Sequence, residues 1–418
     1  MVSLKKNSWI IKAVLQAEWS LKKRLLRGYR QKKKKYYPST PTNADIKNLI
    51  NCMLCPNMCR FDCPAVQASK RETHAPATKS RIAYYLEMDR LEKTPENILP
   101  LVEGCTHCDG CKVWCPFDFS VGELLEVVAI DLFQNGALPG TLNEFIQRIR
   151  QNNGLYPSEK YESAIKTLKG MDQGEVYYFP GCTTMAHMSQ PGSIIHGIVK
   201  ISTKADVPLV ARPKDRWCCG APSLYAGDLE KAKELALHNR KHIRELKPKV
   251  IICECPECAY MLREQYSNIG AELKIPVLHV TEWLLSLLGE EKITLSKEKI
   301  EVNKTKFLGF HDPCVLARKL GITDAPRQIL HKIAPETLKE SPYSGKYTHC
   351  CGFGGLVSIT NPEIAAAMSK QRLGEFVKLN IDTIVSCCPT CELSFLRNDT
   401  LMKFEIKDLI EVVASLLE

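Results

Sequence analysis

No stretch of this 418-residue chain has the length and apolarity to cross a bilayer. The charge-free segment 176–199 comes nearest, but Pro180, Gly181, Gln190, Pro191 and Gly192 interrupt it. A secretory leader is also missing, since Lys12 breaks the one early apolar run, so the chain is expected to stay in a reducing compartment. Nucleotide fingerprints are wanting: Gly352-Phe353-Gly354-Gly355 lacks the spacing of a dinucleotide turn, and there is no phosphate loop. Nor is the body basic. Formal charge is +10, but residues 1–37 carry twelve Lys or Arg against Glu18 alone, a local +11 that leaves the remainder near −1. A nucleic-acid binder would need a basic face, so no nucleic-acid partner is expected.

What the chain has is cysteine, twenty in all, against an otherwise ordinary 44% hydrophobic and 25% charged composition. Ten of them form two copies of one pattern. Cys182, Cys218, Cys219, Cys255 and Cys258 are followed by Cys314, Cys350, Cys351, Cys388 and Cys391, offset by 132 residues for the first three and 133 for the last two. Each copy has a lone cysteine, a Cys-Cys-Gly doublet 36 residues later and a Cys-Pro-x-Cys pair. Eight more precede them: Cys52, Cys55, Cys59 and Cys63, then Cys105, Cys108, Cys111 and Cys115, with a proline after each fourth member. Such short spacings in a reducing compartment point to metal rather than disulfides. The second run has the spacing of bacterial ferredoxins, where three thiolates hold one cubane and the fourth reaches across to another. By that crossed logic Cys52, Cys55, Cys59 and Cys115 hold one 4Fe-4S cluster, and Cys105, Cys108, Cys111 and Cys63 the second. Two structural zinc sites are the alternative. Cys253 and Cys387 have no counterpart in the other copy and are expected to be packing thiols.

Around these cysteines the pattern of residues predicts structure. Residues 1–37 are a basic, loosely amphipathic helical arm suited to an anionic membrane surface or a partner subunit, or else a solvated tail. Helices are predicted over 79–91 and 123–133, with 143–169 a polar helical bridge. Strands are predicted over 176–179, 250–252, 307–310 and 383–385, and helices over 229–246 and 362–379, so each copy alternates strand and helix as in a parallel α/β sheet. Ligands collect beyond the carboxyl ends of such strands, where the lone cysteines and Cys-Pro-x-Cys pairs fall. In Cys255-Pro256-Glu257-Cys258 and Cys388-Pro389-Thr390-Cys391 the first cysteine is expected at a helix cap, where unpaired N–H groups favour a thiolate. Gly220, Gly352, Gly354 and Gly355 supply the turn that lets adjacent cysteines face one site.

This arrangement resembles the fused catalytic subunit of heterodisulfide reductase, a dicluster ferredoxin module followed by two cysteine-rich CCG domains; the His311-Asp312-Pro313-Cys314 run with Arg318, Gly321, Pro326 and Arg327 is similar too. The resemblance implies two cubane 4Fe-4S clusters on the eight ferredoxin-type cysteines. It also implies two non-cubane 4Fe-4S clusters, one on each five-cysteine set, facing each other across a substrate disulfide that they reduce. An α+β chain is therefore expected: arm and linker 1–45, helical dicluster domain 46–172, CCG domains 173–304 and 305–418. Its partners would be an electron-donating protein of the same complex (a flavin, hydrogenase or b-type cytochrome component) and a small thiol or disulfide. Its place would be the cytoplasm, with possible peripheral contact at the inner membrane face through the arm. The same domains occur in relay subunits of quinone-linked glycolate, lactate or glycerol-3-phosphate dehydrogenases, the competing expectation. The first ferredoxin-type run departs from the family spacing by one residue before Cys59. His311, Arg318 and Arg327 are read either as positioning an anionic substrate or, more simply, as a satisfied strand-end group (His311) and solvated helix residues (Arg318, Arg327), and His107 and His349 only as neighbours of ligands.

Overall fold

The computed structural model describes residues 15–23, 44–188 and 190–418. Most of the basic arm falls outside them; within 15–23 short helical pieces break at Ala17 and Glu18. From residue 44 to 172 the chain is helical. Helix Ile46–Met53 begins where the Asp45 carboxylate accepts from the Asn48 N–H at 3.0 Å. Helices Pro64–Ser69, Pro76–Glu87 and Pro95–Glu103 each open on a proline whose missing N–H would have had no partner there. The segment predicted as one bridge over 143–169 is split. Helix Gly140–Asn152 stops at Asn153, which turns left-handed (φ 51°), and short helices Ser158–Tyr161 and Glu162–Thr167 resume after Pro157.

Two four-stranded sheets follow, every strand pair parallel. In the first, β1 (Val176–Tyr178), β2 (Leu209–Val210), β3 (Val250–Cys253) and β4 (Val277–His279) lie in the order β2-β1-β3-β4. In the second, β5 (Leu308–Phe310), β6 (Leu338–Lys339), β7 (Thr383–Ser386) and β8 (Glu405–Asp408) lie in the order β6-β5-β7-β8. The chain is thus α+β, with the cysteine duplication matched by a duplicated fold. The chain winds one way from β1 and the other way from β3, so their carboxyl ends flank the crevice where open sheets bind ligands.

The two halves interlock. The last helix, Leu409–Leu416, packs on Ile194–Lys204 of the first half, where a Cβ on Gly197 would come within 2.7 Å of Ile410. Lys200 and Lys299 cap its end, each donating at 2.6 Å, to the carbonyls of Ala414 and Leu417. One apolar core joins residues of both halves, among them Ile198, Trp283, Ile329 and Val413.

Candidate metal centres

In the helical module the eight cysteines fall in two neighbourhoods that overlap at Cys63 and Cys111. Cys59 is half-buried, which pushes its thiol up to about 12, with repulsion from Cys52, Cys63, Cys55 and Cys115 adding to the shift. Burial likewise lifts Cys52 to about 11, and Cys115 and Cys55 add to it. Cys52, Cys55, Cys59, Cys111 and Cys115 line a cavity of about 270 Å³ whose wall includes Met58, Trp114 and Phe117. The second group surrounds a buried cation. Lys79 donates to the Gly104 carbonyl at 2.6 Å; burial lowers its pKa, but Cys105, Cys63, Cys111 and Cys108 together outweigh that and raise it. A buried ammonium facing four thiols offsets the negative charge that four thiolate ligands would bring.

Each five-cysteine set sits at the carboxyl edge of its sheet. Cys182 opens helix Cys182–His187 after β1, the Cys218-Cys219 doublet follows β2, and Cys255 caps helix Pro256–Tyr260 two residues after β3. The second copy differs at its lone cysteine, since Cys314 leads into a π-helical turn, Val315–Lys319. Cys388 caps Pro389–Asn398 as expected. Gly220 (φ 98°) and Gly352 (φ 93°) take the left-handed turn after each doublet.

All ten cysteines line a single cavity of about 480 Å³. Within each set the thiols converge. Cys219 is pulled down to about 6 by donation from Cys218 and Cys258, and Cys351 is pulled well below its ordinary value by Cys350 and Cys391. Cys314 and Cys350 lie 3.9 Å apart, sulfur to sulfur, and the Gly352 N–H points at the Cys350 sulfur at 3.4 Å. Cys253 and Cys387 are fully buried and do not line the cavity.

The remaining candidates divide differently from their sequence promise. His311, Arg318 and Arg327 all stay out of the cavity wall. Arg327 pairs with Asp312 at 2.7 Å and Glu340 at 2.8 Å, and His311 is buried against Arg372. Arg318 donates to the Cys108 carbonyl at 2.7 Å, the Lys346 carbonyl at 2.8 Å and the Thr348 carbonyl, tying the helical module to the second half. His349 spans Asp62 and Glu375 at the same junction. Missed in the sequence were the cavity's own side chains: apolar Phe145, Leu155, Leu356 and Leu393, and polar Arg148, Glu257, Thr390 and Arg397. Only their place after folding marks them out, so no spacing signal was there to find.

The two thiol groupings also meet. Contact with Cys350 is the chief reason the Cys108 thiol is raised far above its ordinary value, ahead of burial. Gly354 and Gly355 make the approach possible, since a Cβ on either would lie 2.6 Å from the Thr106 carbonyl oxygen or 2.4 Å from that of Cys105.

Comparison with known proteins gives this arrangement its relatives. The cysteine-rich (CCG) domain family matches residues 176–263 and 308–396, and the 4Fe-4S dicluster domain family matches 48–119. A component of the dihydromethanophenazine:CoB–CoM heterodisulfide reductase of Methanosarcina mazei is 29% identical over 326 residues, 76% of this chain and 78% of that one. The chain resembles heterodisulfide reductase iron-sulfur subunits, with a 4Fe-4S dicluster domain ahead of two CCG domains. A component of the fumarate reductase (CoM/CoB) of Methanothermobacter marburgensis is 26% identical over 88% of this chain and 72% of its own. An EtfAB:quinone oxidoreductase of Syntrophomonas wolfei is 24% identical over 83% of this chain and 54% of its own.

The residues of this chain suit 4Fe-4S clusters. Thiols line the cavities in numbers that no mononuclear ion needs, and among the described residues no three His, Cys, Asp or Glu side chains close on one point as around a single ion. Buried cations stand beside the thiols, Lys79 in the helical module and Arg216 at Cys182.

Proposed function

We propose that this chain takes electrons from a partner subunit and uses them to reduce a small disulfide at the cavity between its two cysteine-rich halves. The observation that carries this reading is that both five-cysteine sets line the same cavity. A disulfide has two sulfurs to be held once its bond is broken, and one space walled by two equivalent thiol sets can receive both. On this proposal Cys52, Cys55, Cys59 and Cys115 hold one cubane and Cys63, Cys105, Cys108 and Cys111 the other. Cys182, Cys218, Cys219, Cys255 and Cys258 hold one non-cubane cluster, and Cys314, Cys350, Cys351, Cys388 and Cys391 its twin. Units 46–172, 173–304 and 305–418 would carry them. When bound, such clusters supply one-electron steps and thiophilic iron.

The rest is the work of the chain. Phe145, Leu155, Leu356 and Leu393 keep the cavity wall apolar, which strengthens every charge interaction inside it. Arg148 and Arg397 place positive charge at the same wall. The contact of Cys108 with Cys350 links the ferredoxin-type thiols to the cavity. Met58, Trp114 and Phe117 are exposed at the first thiol cavity, and exposed Leu54 and Phe61 stand beside its cysteines in sequence. We assign that apolar surface to the electron-donating partner, because a redox site beneath it needs a close, dry contact. No helix among the described residues is long and apolar enough to cross a membrane. The basic arm and this partner would hold the chain at the cytoplasmic face.

A second reading is supported by the quinone oxidoreductase relative, which aligns over 83% of this chain. On that reading the chain relays electrons of a quinone-linked dehydrogenase and the cavity takes no disulfide. One experiment separates the two. Anaerobically reconstituted protein should bind about sixteen irons per chain if all four sites hold four-iron clusters. Oxidised protein is then mixed with coenzyme-type thiols: a new paramagnetic signal is expected for disulfide reduction, and its absence with all of them would establish the relay.

A further inference from the structure

The duplicated thiol sets are not electrostatic equals: Arg216, at the first, has no like-placed counterpart at the second. Arg216 is buried, and its guanidinium nitrogens lie 3.5 and 3.6 Å from the Cys182 sulfur. Its face lies over Phe179 at 5.3 Å, its Nε has no hydrogen-bond partner, and among the described residues no carboxylate pairs with it. Its other titratable neighbours include Cys218 and the buried phenols of Tyr161 and Tyr177, which burial keeps protonated. The offset of 132 residues maps Arg216 onto Thr348, a neutral residue whose hydroxyl donates to the Asp312 carbonyl at 2.9 Å. The buried guanidinium of the second half, Arg372, is spent otherwise: it pairs with Glu375, which cancels its charge, and donates to His311.

A fixed positive charge in a dry interior is screened weakly by salt and strongly favours whichever state of its neighbour carries more electrons. Net charge and hydrogen bonds to sulfur are the levers by which a protein sets a cluster's potential, and Arg216 applies both to the ligand sulfur of one half alone. We propose that Arg216 is a positioning residue that makes the Cys182 site the higher-potential member of the pair. The proposal rests on the reading that both five-cysteine sets hold clusters. The first electron from the donor protein would then settle at the Cys182 side: the donor loses one electron, the site gains it, and no bond or proton changes hands. The two sulfurs of a bound disulfide would accordingly meet unlike sites, which gives a substrate with two different halves a preferred orientation.

The test is a reductive titration of the full, reconstituted chain with dithionite, followed by paramagnetic resonance and iron analysis. Cys391→Ser, which removes a thiol of the second site, identifies which signal belongs to which half. In R216M, with iron content unchanged, the first-site midpoint should fall by at least ~59 mV, a tenfold change in a one-electron equilibrium constant, while the second stays put. In R216K, which keeps the charge, the two midpoints should retain their order. Unmoved midpoints in R216M, or movement of the second site instead, would overturn the proposal. If R216M loses iron, R216K decides: a collapsed separation with iron intact, or iron loss in this variant too, would reduce Arg216 to a structural role. Fewer irons than four sites require in the unaltered chain would instead remove the reading beneath it.

Discussion

At the scale of single residues, charge and hydrogen bonding at the junction of modules turn on Arg318. It satisfies carbonyls from two segments more than two hundred residues apart in sequence, Cys108 on one side and Lys346 and Thr348 on the other. Arg318→Ala leaves three carbonyls without their charged donor, and we expect a loss of about 2–3 kcal/mol. The check is chemical denaturation of the two proteins, with Arg318→Lys recovering only part, since an ammonium does not reproduce the guanidinium fork. The cysteines were legible at this scale because their spacing repeats, which singled out eighteen of twenty and set Cys253 and Cys387 aside. Arg318 and Arg216 were not, for their partners are fixed by folding and leave no periodic trace.

At the scale of elements, the two halves end their sheets alike: β4 runs into His279 and β8 into Asp408, and each residue caps the next helix in a reciprocal capping box. His279 can do this only when neutral, with Nδ1 accepting from the Thr281 N–H at 3.3 Å and Nε2 facing the Glu254 carbonyl at 3.1 Å. Burial first, and then Arg263, lowers its pKa to about 3. An unfolded histidine titrates near ~6.5, so between these values the unfolded chain binds the extra proton and stability falls as the pH falls. The contribution is present in full above the unfolded value and is lost progressively below it. Melting temperatures between pH 5.5 and 7.5 should decline more steeply towards acid in the wild type than in His279→Asn, which keeps a capping oxygen without the titration.

Long helices such as Leu229–Leu246 were legible from their periodicity, β3 and β7 from their β-branched runs, and β1 and β5 as apolar runs leading into Cys182 and Cys314. The strands β2, β4, β6 and β8 were not; the two residues of β2 and of β6 are too short a run to alternate. Helix Pro362–Val377 ends two residues before its predicted stop, and helices Pro76–Glu87 and Val121–Gln134 start earlier than predicted, where a proline and a Ser120 cap set their first turns.

At the scale of the molecule, the modules are joined by backbone laid against backbone. Gly355 has a left-handed φ of 57° and would drive a Cβ into the Cys105 carbonyl oxygen at 2.4 Å. Gly355→Ala should therefore separate the helical module from the second half. Protease cleavage between residues 120 and 175 should accelerate several-fold, and Gly136→Ala, whose Cβ would meet nothing within 4 Å, serves as the strain control. The fold class and the duplication were readable beforehand; that the two thiol sets face one space was implied by the family resemblance alone, because no spacing records how the halves pack.

The fastening of helix Leu409–Leu416 onto Ile194–Lys204 also orders events during biosynthesis. The segment that seals the first half is made after every one of the twenty cysteines. The helical module has all eight of its thiols by residue 115 and can mature while translation continues. The central cavity gains its last wall residues, Arg397 and Asn398, long after those eight thiols, so delivery of iron and sulfide there comes later than in the helical module.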